Sequence, residues 1–380
     1  MELATTLKSQ AVRAGVRQVG INPDYWYPVG WSHQLKPGQV IPVVAWNQEI
    51  AVYRDTSGRL HALEDACPHK GVALHKGKVI GENLACRYHG WEFGDGGQCV
   101  NIPYLPKSQK LPPACARTFP IQEKYDLIWV FPGNPDLAEE RQPPEVAEYA
   151  QPGWLDVSVT AHFNSHFSIC NENSMDVFHG FLHENLQGWF DPVLLKLQET
   201  ESTVSAQYQV SYKGQIAKFL GLTDRADQVT TLPVTVEYRY PHYYSTLEGV
   251  SSLYLMRLPV SSVESRSFAL FFFRVRLPQW VLTPLRPVLR SLLRRFVLHR
   301  FLAQDIEMME SEQQHYLANP NRKYIEINPA IIAVQRLIVR QYDLFRQASS
   351  QSNGHKSSQE VVYRSMAATS SDADSGQAVP

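Results

Sequence analysis

Residues 66 to 93 read ACPHKGVALHKGKVIGENLACRYHGWEF, and no other stretch constrains the chain as strongly. Cys67 and His69 are separated by one residue, Cys86 and His89 by two, and sixteen residues lie between the pairs. Two mixed Cys/His pairs form a metal-donor pattern, and their spacing narrows the metal. A zinc finger spaces its first pair by about two to four residues, so one intervening residue is too few. A plant-type two-iron, two-sulfur ferredoxin uses four thiolates. The remaining candidate binds one iron through two thiolates and the other through two imidazoles. Neutral imidazole donates less negative charge than thiolate, so that iron takes up an electron at roughly −150 to +300 mV, against about −400 mV for four thiolates.

Composition excludes more than it selects. A 380-residue chain that is 44% hydrophobic can bury a large core, in two domains or one large one. A formal net charge of −1 gives no global pull toward nucleic acid or membrane. Of five cysteines, Cys99, Cys115 and Cys170 fall outside the motif without framework spacing. That argues against a disulfide scaffold and for a reducing, cytoplasmic compartment. No run reaches the roughly 18 apolar residues of a membrane span, and the first twenty residues lack an apolar signal core.

The predicted fold class is α+β. Residues 25–135 read as short strands split by Pro-Gly and Ser-Gly turns, without βαβ alternation, hence a small antiparallel β domain. The Pro- and charge-rich stretch FPGNPDLAEERQPPEV marks the junction. Residues 136–347 read as an antiparallel sheet flanked by helices. In it STVSAQYQVSY places Val204, Ala206, Tyr208, Val210 and Tyr212 on one face. SFALFFFRVRL is apolar enough for a central strand, and PAIIAVQRLIVRQYDLFRQ closes the domain as a helix with Pro329 near its start. Residues 1–24 form an N-terminal segment, and 348–380 hold too little to bury, so disorder is expected there.

The second informative stretch is NENSMDVFHGFLHENLQGW, residues 171 to 189. On a helix Asp176, His179 and His183 fall at i, i+3 and i+7, a polar stripe among Met175, Phe178, Phe181 and Leu182. Polar groups in apolar surroundings are costly unless something binds them, and two such histidines can grip one metal ion.

The two motifs together resemble the Rieske non-heme iron oxygenases, over roughly residues 25 to 345. CPHKG and CRYHGWEF match the Rieske signature, which implies Cys67 and Cys86 on one iron of a [2Fe-2S] cluster and His69 and His89 on the other. Asn173, Asp176, His179 and His183 match the family's Asn-x-x-Asp-x-x-His motif with its second histidine, although three residues rather than four separate the histidines. The resemblance implies a helix-grip catalytic domain with a mononuclear Fe(II) on His179, His183 and a carboxylate from a C-terminal helix. Asp305 in FLAQDIEMMESEQ is the choice, with Glu307 and Glu310 as rivals. It gives Asp176 a different role, bridging an iron-bound histidine to His89 of a neighbouring subunit in a homotrimer. It implies dioxygen as co-substrate and electrons from NAD(P)H or ferredoxin through a separate reductase, and no GxGxxG follows a strand to bind a flavin or nicotinamide here. The alternative is a Rieske electron carrier with an inactive second domain.

The substrate pocket is expected around residues 181–189 and 268–280, whose aromatic and aliphatic side chains suit an apolar molecule. Between Glu264 and Asp305 there is no acidic residue, while eight arginines interleave with leucines, valines and phenylalanine. Such a segment, at 281–300, fits either a solvated face or peripheral contact with an anionic membrane. The DYWYPVG start is similar to single-component relatives that act on chlorophyll-type pigments, carotenoids, sterols or alkaloids.

Overall fold

Turn chemistry shapes the first half of the protein. The computed structural model describes residues 15–183, 189–214, 217–218, 221–275 and 277–369, with side chains to residue 350. Ten short strands come first: β1 (Tyr27–Trp31), β2 (Val40–Ala45), β3 (Gln48–Arg54), β4 (Leu60–Glu64), β5 (Lys78–Ile80), β6 (Asn83–Ala85), β7 (Glu92–Phe93), β8 (Cys99–Asn101), β9 (Ile121–Lys124) and β10 (Leu127–Val130). They form three antiparallel sheets, ordered β1-β10-β9, β2-β3-β4 and β5-β6-β7-β8. Trp46 and Asn47 join β2 to β3, both at positive φ (48° and 64°), the hand of two-residue turn that matches strand twist. Tyr125 and Asp126 repeat the device between β9 and β10.

The second half carries one seven-stranded antiparallel sheet, ordered β11-β17-β16-β15-β14-β13-β12. Its strands are β11 (Trp154–Phe163), β12 (Trp189–Glu199), β13 (Thr203–Tyr212), β14 (Thr230–Arg239), β15 (His242–Leu247), β16 (Ser251–Ser261) and β17 (Glu264–Arg274). The alternation of β13 buries Val204, Ala206, Tyr208 and Val210 and leaves Tyr212 half-buried. β17 lies inside the sheet, between β11 and β16, as its apolar run requires. Helix α1 (Phe167–Met175) follows β11, and α2 (Gln279–Leu293), a π-helical turn at Arg294–Leu298 and α3 (His299–Ala318) follow β17. Helix α4 (Pro329–Thr369) packs on α1 and β13.

One expectation changes here. Helix α4 continues past residue 348 to Thr369, because no proline and only Gly354 interrupt it after Pro329. Residues 1–14 of the N-terminal segment, 370–380 of the tail and 184–188 of the expected pocket wall lie outside the described residues. The halves also share a core: Tyr27 and Trp129 pack edge-on against His242 of β15, and Trp31 against Phe268 of β17. The part carrying the Cys/His motif keeps its own core, with Leu63, Leu74, Leu84 and Phe93 fully buried.

A candidate oxygenase site with two metal-donor sets

The two Cys/His pairs sit on loops of the same construction. The Cys67 N–H donates to the Val72 carbonyl (2.9 Å) and the Gly71 N–H to the Cys67 carbonyl (2.8 Å). The Cys86 N–H donates to the Trp91 carbonyl (2.8 Å) and the Gly90 N–H to the Cys86 carbonyl (2.9 Å). Each loop turns at its glycine, Gly71 at φ 67° and Gly90 at φ 69°, where a side chain would be strained. Both cysteines are buried and both histidines half-buried, with the imidazole centroids 4.8 Å apart. Trp91 stacks on His69 at 4.4 Å, and Tyr88, largely exposed, lies against His89. Burial is the main cause raising the Cys67 thiol pKa, and Cys86 beside it adds to the rise, opposed by hydrogen bonds from the backbone of His69 and Lys70. Two thiols brought together inside and two imidazoles brought together outside fit a two-iron cluster with mixed donors. All five cysteines are unbridged.

The second donor set is built across 126 residues of chain, from His179 to Asp305. Helix α1 ends before the histidines, which differs from the continuous helix expected: Asp176 is extended (φ −87°, ψ 95°) and a 3₁₀ run covers Val177–His183. The Asp176 carboxylate restarts the chain by accepting from the Phe178 N–H (3.1 Å), a local bond that competes with the helix. The same oxygen accepts from Asn328 Nδ2 (3.2 Å). Asp176 meets His179 through its backbone carbonyl, which accepts from His179 Nδ1. His183 Nδ1 donates to Gln304 Oε1 (2.9 Å). With each Nδ1 engaged, each Nε2 is left to face Asp305 Oδ1, at 3.8 Å from His179 and 3.2 Å from His183.

His179, His183 and Asp305 thus offer donor atoms within 4.8 Å of one another. Burial is the main cause lowering the His179 pKa and outweighs Asp305 and Asp176, so the imidazole is held in the neutral form a metal requires. His183 is fully buried and stacks on Phe301 at 3.8 Å. Asn173 Nδ2 donates to Asp305 Oδ1 (3.3 Å). Of the rivals, Glu310 instead accepts from the backbone N–H and side chain of Asn164 (2.9 Å each), and Glu307 is exposed. A pair of imidazoles with one carboxylate is the donor set of oxygen-activating iron, and its three members fit that ion.

A partly open cavity of about 260 Å³ lies beside Asp305 and His179, walled by apolar side chains including Val210, Val234, Leu255 and Phe271. A wider, more open depression of about 570 Å³ beside Gly15 and Arg336 contains neither donor set. The expected pocket wall is corrected in part: Trp189, Phe271 and Phe273 line the cavity, whereas Phe181 and Trp280 are 87% and 79% exposed. Sequence reasoning missed Trp189 as a support. Its indole Nε1 donates to the Val177 carbonyl (3.2 Å) and its ring packs edge-on against both iron-site histidines.

The chain belongs to the Rieske non-heme iron oxygenases. Residues 25–120 match the Rieske [2Fe-2S] domain family, and residues 163–341 match the vanillate O-demethylase oxygenase C-terminal domain. The 4beta-methylsterol monooxygenase of Methylococcus capsulatus is 33% identical over 88% of this chain and 92% of its own length. The cholesterol 7-desaturase of Xenopus laevis is 34% identical over 43% of this chain and 36% of its own length. Among solved structures, dicamba monooxygenase bound to 3,6-dichlorosalicylic acid superposes with a TM-score of 0.70 at 20% identity, covering 87% of this chain and 98% of that one. The protein is therefore an oxygenase whose family carries a [2Fe-2S] cluster and a non-heme iron, uses dioxygen, and draws electrons from a separate reductase or ferredoxin. The electron-carrier alternative is not favoured. No helix among the described residues is long and apolar enough to cross a membrane.

Proposed function

We propose that the protein oxidises an apolar polycyclic substrate of sterol or related isoprenoid type, by hydroxylation, demethylation or desaturation, at an iron held by His179, His183 and Asp305. The observation that carries this is the convergence of those three donors beside an apolar cavity that His179 and Asp305 line. Similarity to the methylsterol monooxygenase over nearly the full length of both chains supports the substrate class. Bound iron would supply oxygen activation, and a cluster on Cys67, His69, Cys86 and His89 would supply electrons one at a time.

The residues' own tasks follow from their contacts. Gln304 and the Asp176 carbonyl fix the ring orientation of His183 and His179. Asn173 holds Asp305, and Phe301 and Trp189 exclude water from the imidazoles. The cavity walls hold the substrate by apolar contact. Asp176 keeps the bridging task, linking His179 or His183 of one subunit to His89 of the next in a homotrimer. Its half-buried carboxylate, whose Oδ1 alone is committed among the described residues, to Asn328 and the Phe178 N–H, supports that reading. The domain boundary falls at 135/136, in the segment between β10 and β11 that holds only a short 3₁₀ turn, Pro135–Leu137. Its compartment is the cytoplasm, with all its cysteines as thiols or cluster ligands.

The test is electron paramagnetic resonance of reduced protein with nitric oxide added, paired with turnover of a 4-methylsterol. Asp305→Ala should abolish the iron–nitrosyl signal and leave the cluster signal. An undiminished nitrosyl signal in that variant would remove Asp305 from the site, and failure to oxidise any sterol would remove the substrate class.

A further inference from the structure

Helix α2 has two apolar faces, and among the described residues only one has a partner. Leu293 lines the cavity, together with Val297 and Leu298 of the π-helical turn that follows. On the other side Leu285, Val288, Leu292 and Phe296 are exposed by 41%, 56%, 48% and 57%, at spacings of three, four and four that make a single stripe. Trp280, at the start of the helix, is 79% exposed. The charge beside the stripe is of one sign, since no acidic residue occurs between Glu264 and Asp305. Arg286 and Arg290 are used to fasten the helix to Asp156 of β11. Arg294, Arg295 and Arg300 pair with no carboxylate among the described residues, and Arg295 lies over the Phe296 ring.

We propose that this outer face of α2 docks on an anionic phospholipid surface, and that the substrate enters the cavity past the same helix. An apolar stripe on a helix that starts with an exposed tryptophan and ends in unpaired arginines matches acyl chains below and headgroups above. A symmetric pairing with a second copy through this face would set arginine against arginine, which anionic headgroups avoid. One helix would then separate the bilayer from the cavity, so a lipid-soluble substrate passes without exposure to water. The entry route rests on the oxygenase reading above; the docking does not.

The experiment is sedimentation of the cluster-loaded protein with vesicles of phosphatidylcholine alone or mixed with phosphatidylglycerol, read beside turnover. The protein should pellet with the mixed vesicles and stay in solution with phosphatidylcholine. The variants Val288→Glu/Leu292→Glu/Phe296→Glu and Arg294→Glu/Arg295→Glu should each lower apparent vesicle affinity by about tenfold or more, with the cluster absorption unchanged. Equal binding by wild type and variants, or no binding by wild type, overturns the docking. A change of oligomeric mass in the triple variant without lipid also overturns it, and assigns the stripe to a contact between copies. Vesicle binding that depends on α2 in a protein that oxidises no sterol would uphold the docking and refute the oxygenase substrate reading.

Discussion

At Gly180 the histidine-bearing run comes closest to a neighbour. A Cβ there would lie 1.5 Å from Trp189 Nε1, so Gly180→Ala must displace the indole that supports both imidazoles. The expected result is loss of bound iron with the cluster retained, read from the iron content and the cluster absorption. Gln304→Ala tests a milder change: losing the bond to His183 Nδ1 should weaken iron binding by about 10- to 100-fold without altering the cluster. Asp176→Asn keeps the shape of the 3₁₀ start and removes the charge. It should retain both metals and lose turnover, and an active variant would refute the bridging role. Gly71 and Gly90 stand in the sequence only as part of the two motifs. The structure adds the reason: each closes a loop at positive φ, so Gly71→Ala costs roughly 1–2 kcal/mol.

At the scale of elements, α1 is held by charge as well as by packing. Arg17, 6% exposed, pairs with Glu172 and donates to Glu312 Oε1 (2.9 Å), while Gln335 Nε2 of α4 donates to Glu172 Oε2 (3.0 Å). Burial opposes the arginine's charge, yet the two carboxylates outweigh it and raise its pKa. Glu172→Gln leaves a buried cation with a weakened partner and should cost about 3–5 kcal/mol, seen as a lower denaturation midpoint. Two buried histidines set the acid limit. Burial is the main cause that lowers both His166, before α1, and His242, on β15, to about 3. Unfolded, each takes a proton near pH 6.5, whereas folded neither does until about pH 3. Stability is therefore complete above pH ~6.5 and falls as the pH drops below it, by up to about 1.4 kcal/mol per unit for each histidine. A melting temperature flat between pH 6.5 and 4 would contradict this.

Over the whole molecule, the tip of the β2–β3 turn ties the cluster-bearing half to the iron-bearing half. The Trp46 and Asn47 N–H groups donate to the Pro259 and Val260 carbonyls (2.8 Å each), and the Trp46 ring packs edge-on against His166 and Phe167 at the start of α1. By itself the sequence determined the family, the class of each metal and the alternation of strands such as β13 and β17. Cys67 to Val72 and Cys86 to Trp91 close within six residues, and alternation along β13 is a property of the strand alone, so neighbours in sequence suffice. Only the tertiary structure decided between Asp305, Glu307 and Glu310, since all three lie on one helix and differ only in which side faces His183. It also brought Asn328 from 152 residues away onto the Asp176 carboxylate, where a local bond to the Phe178 N–H breaks the helix. It also left one face of α2 uncovered, because whether an apolar stripe is core or surface depends on what packs against it.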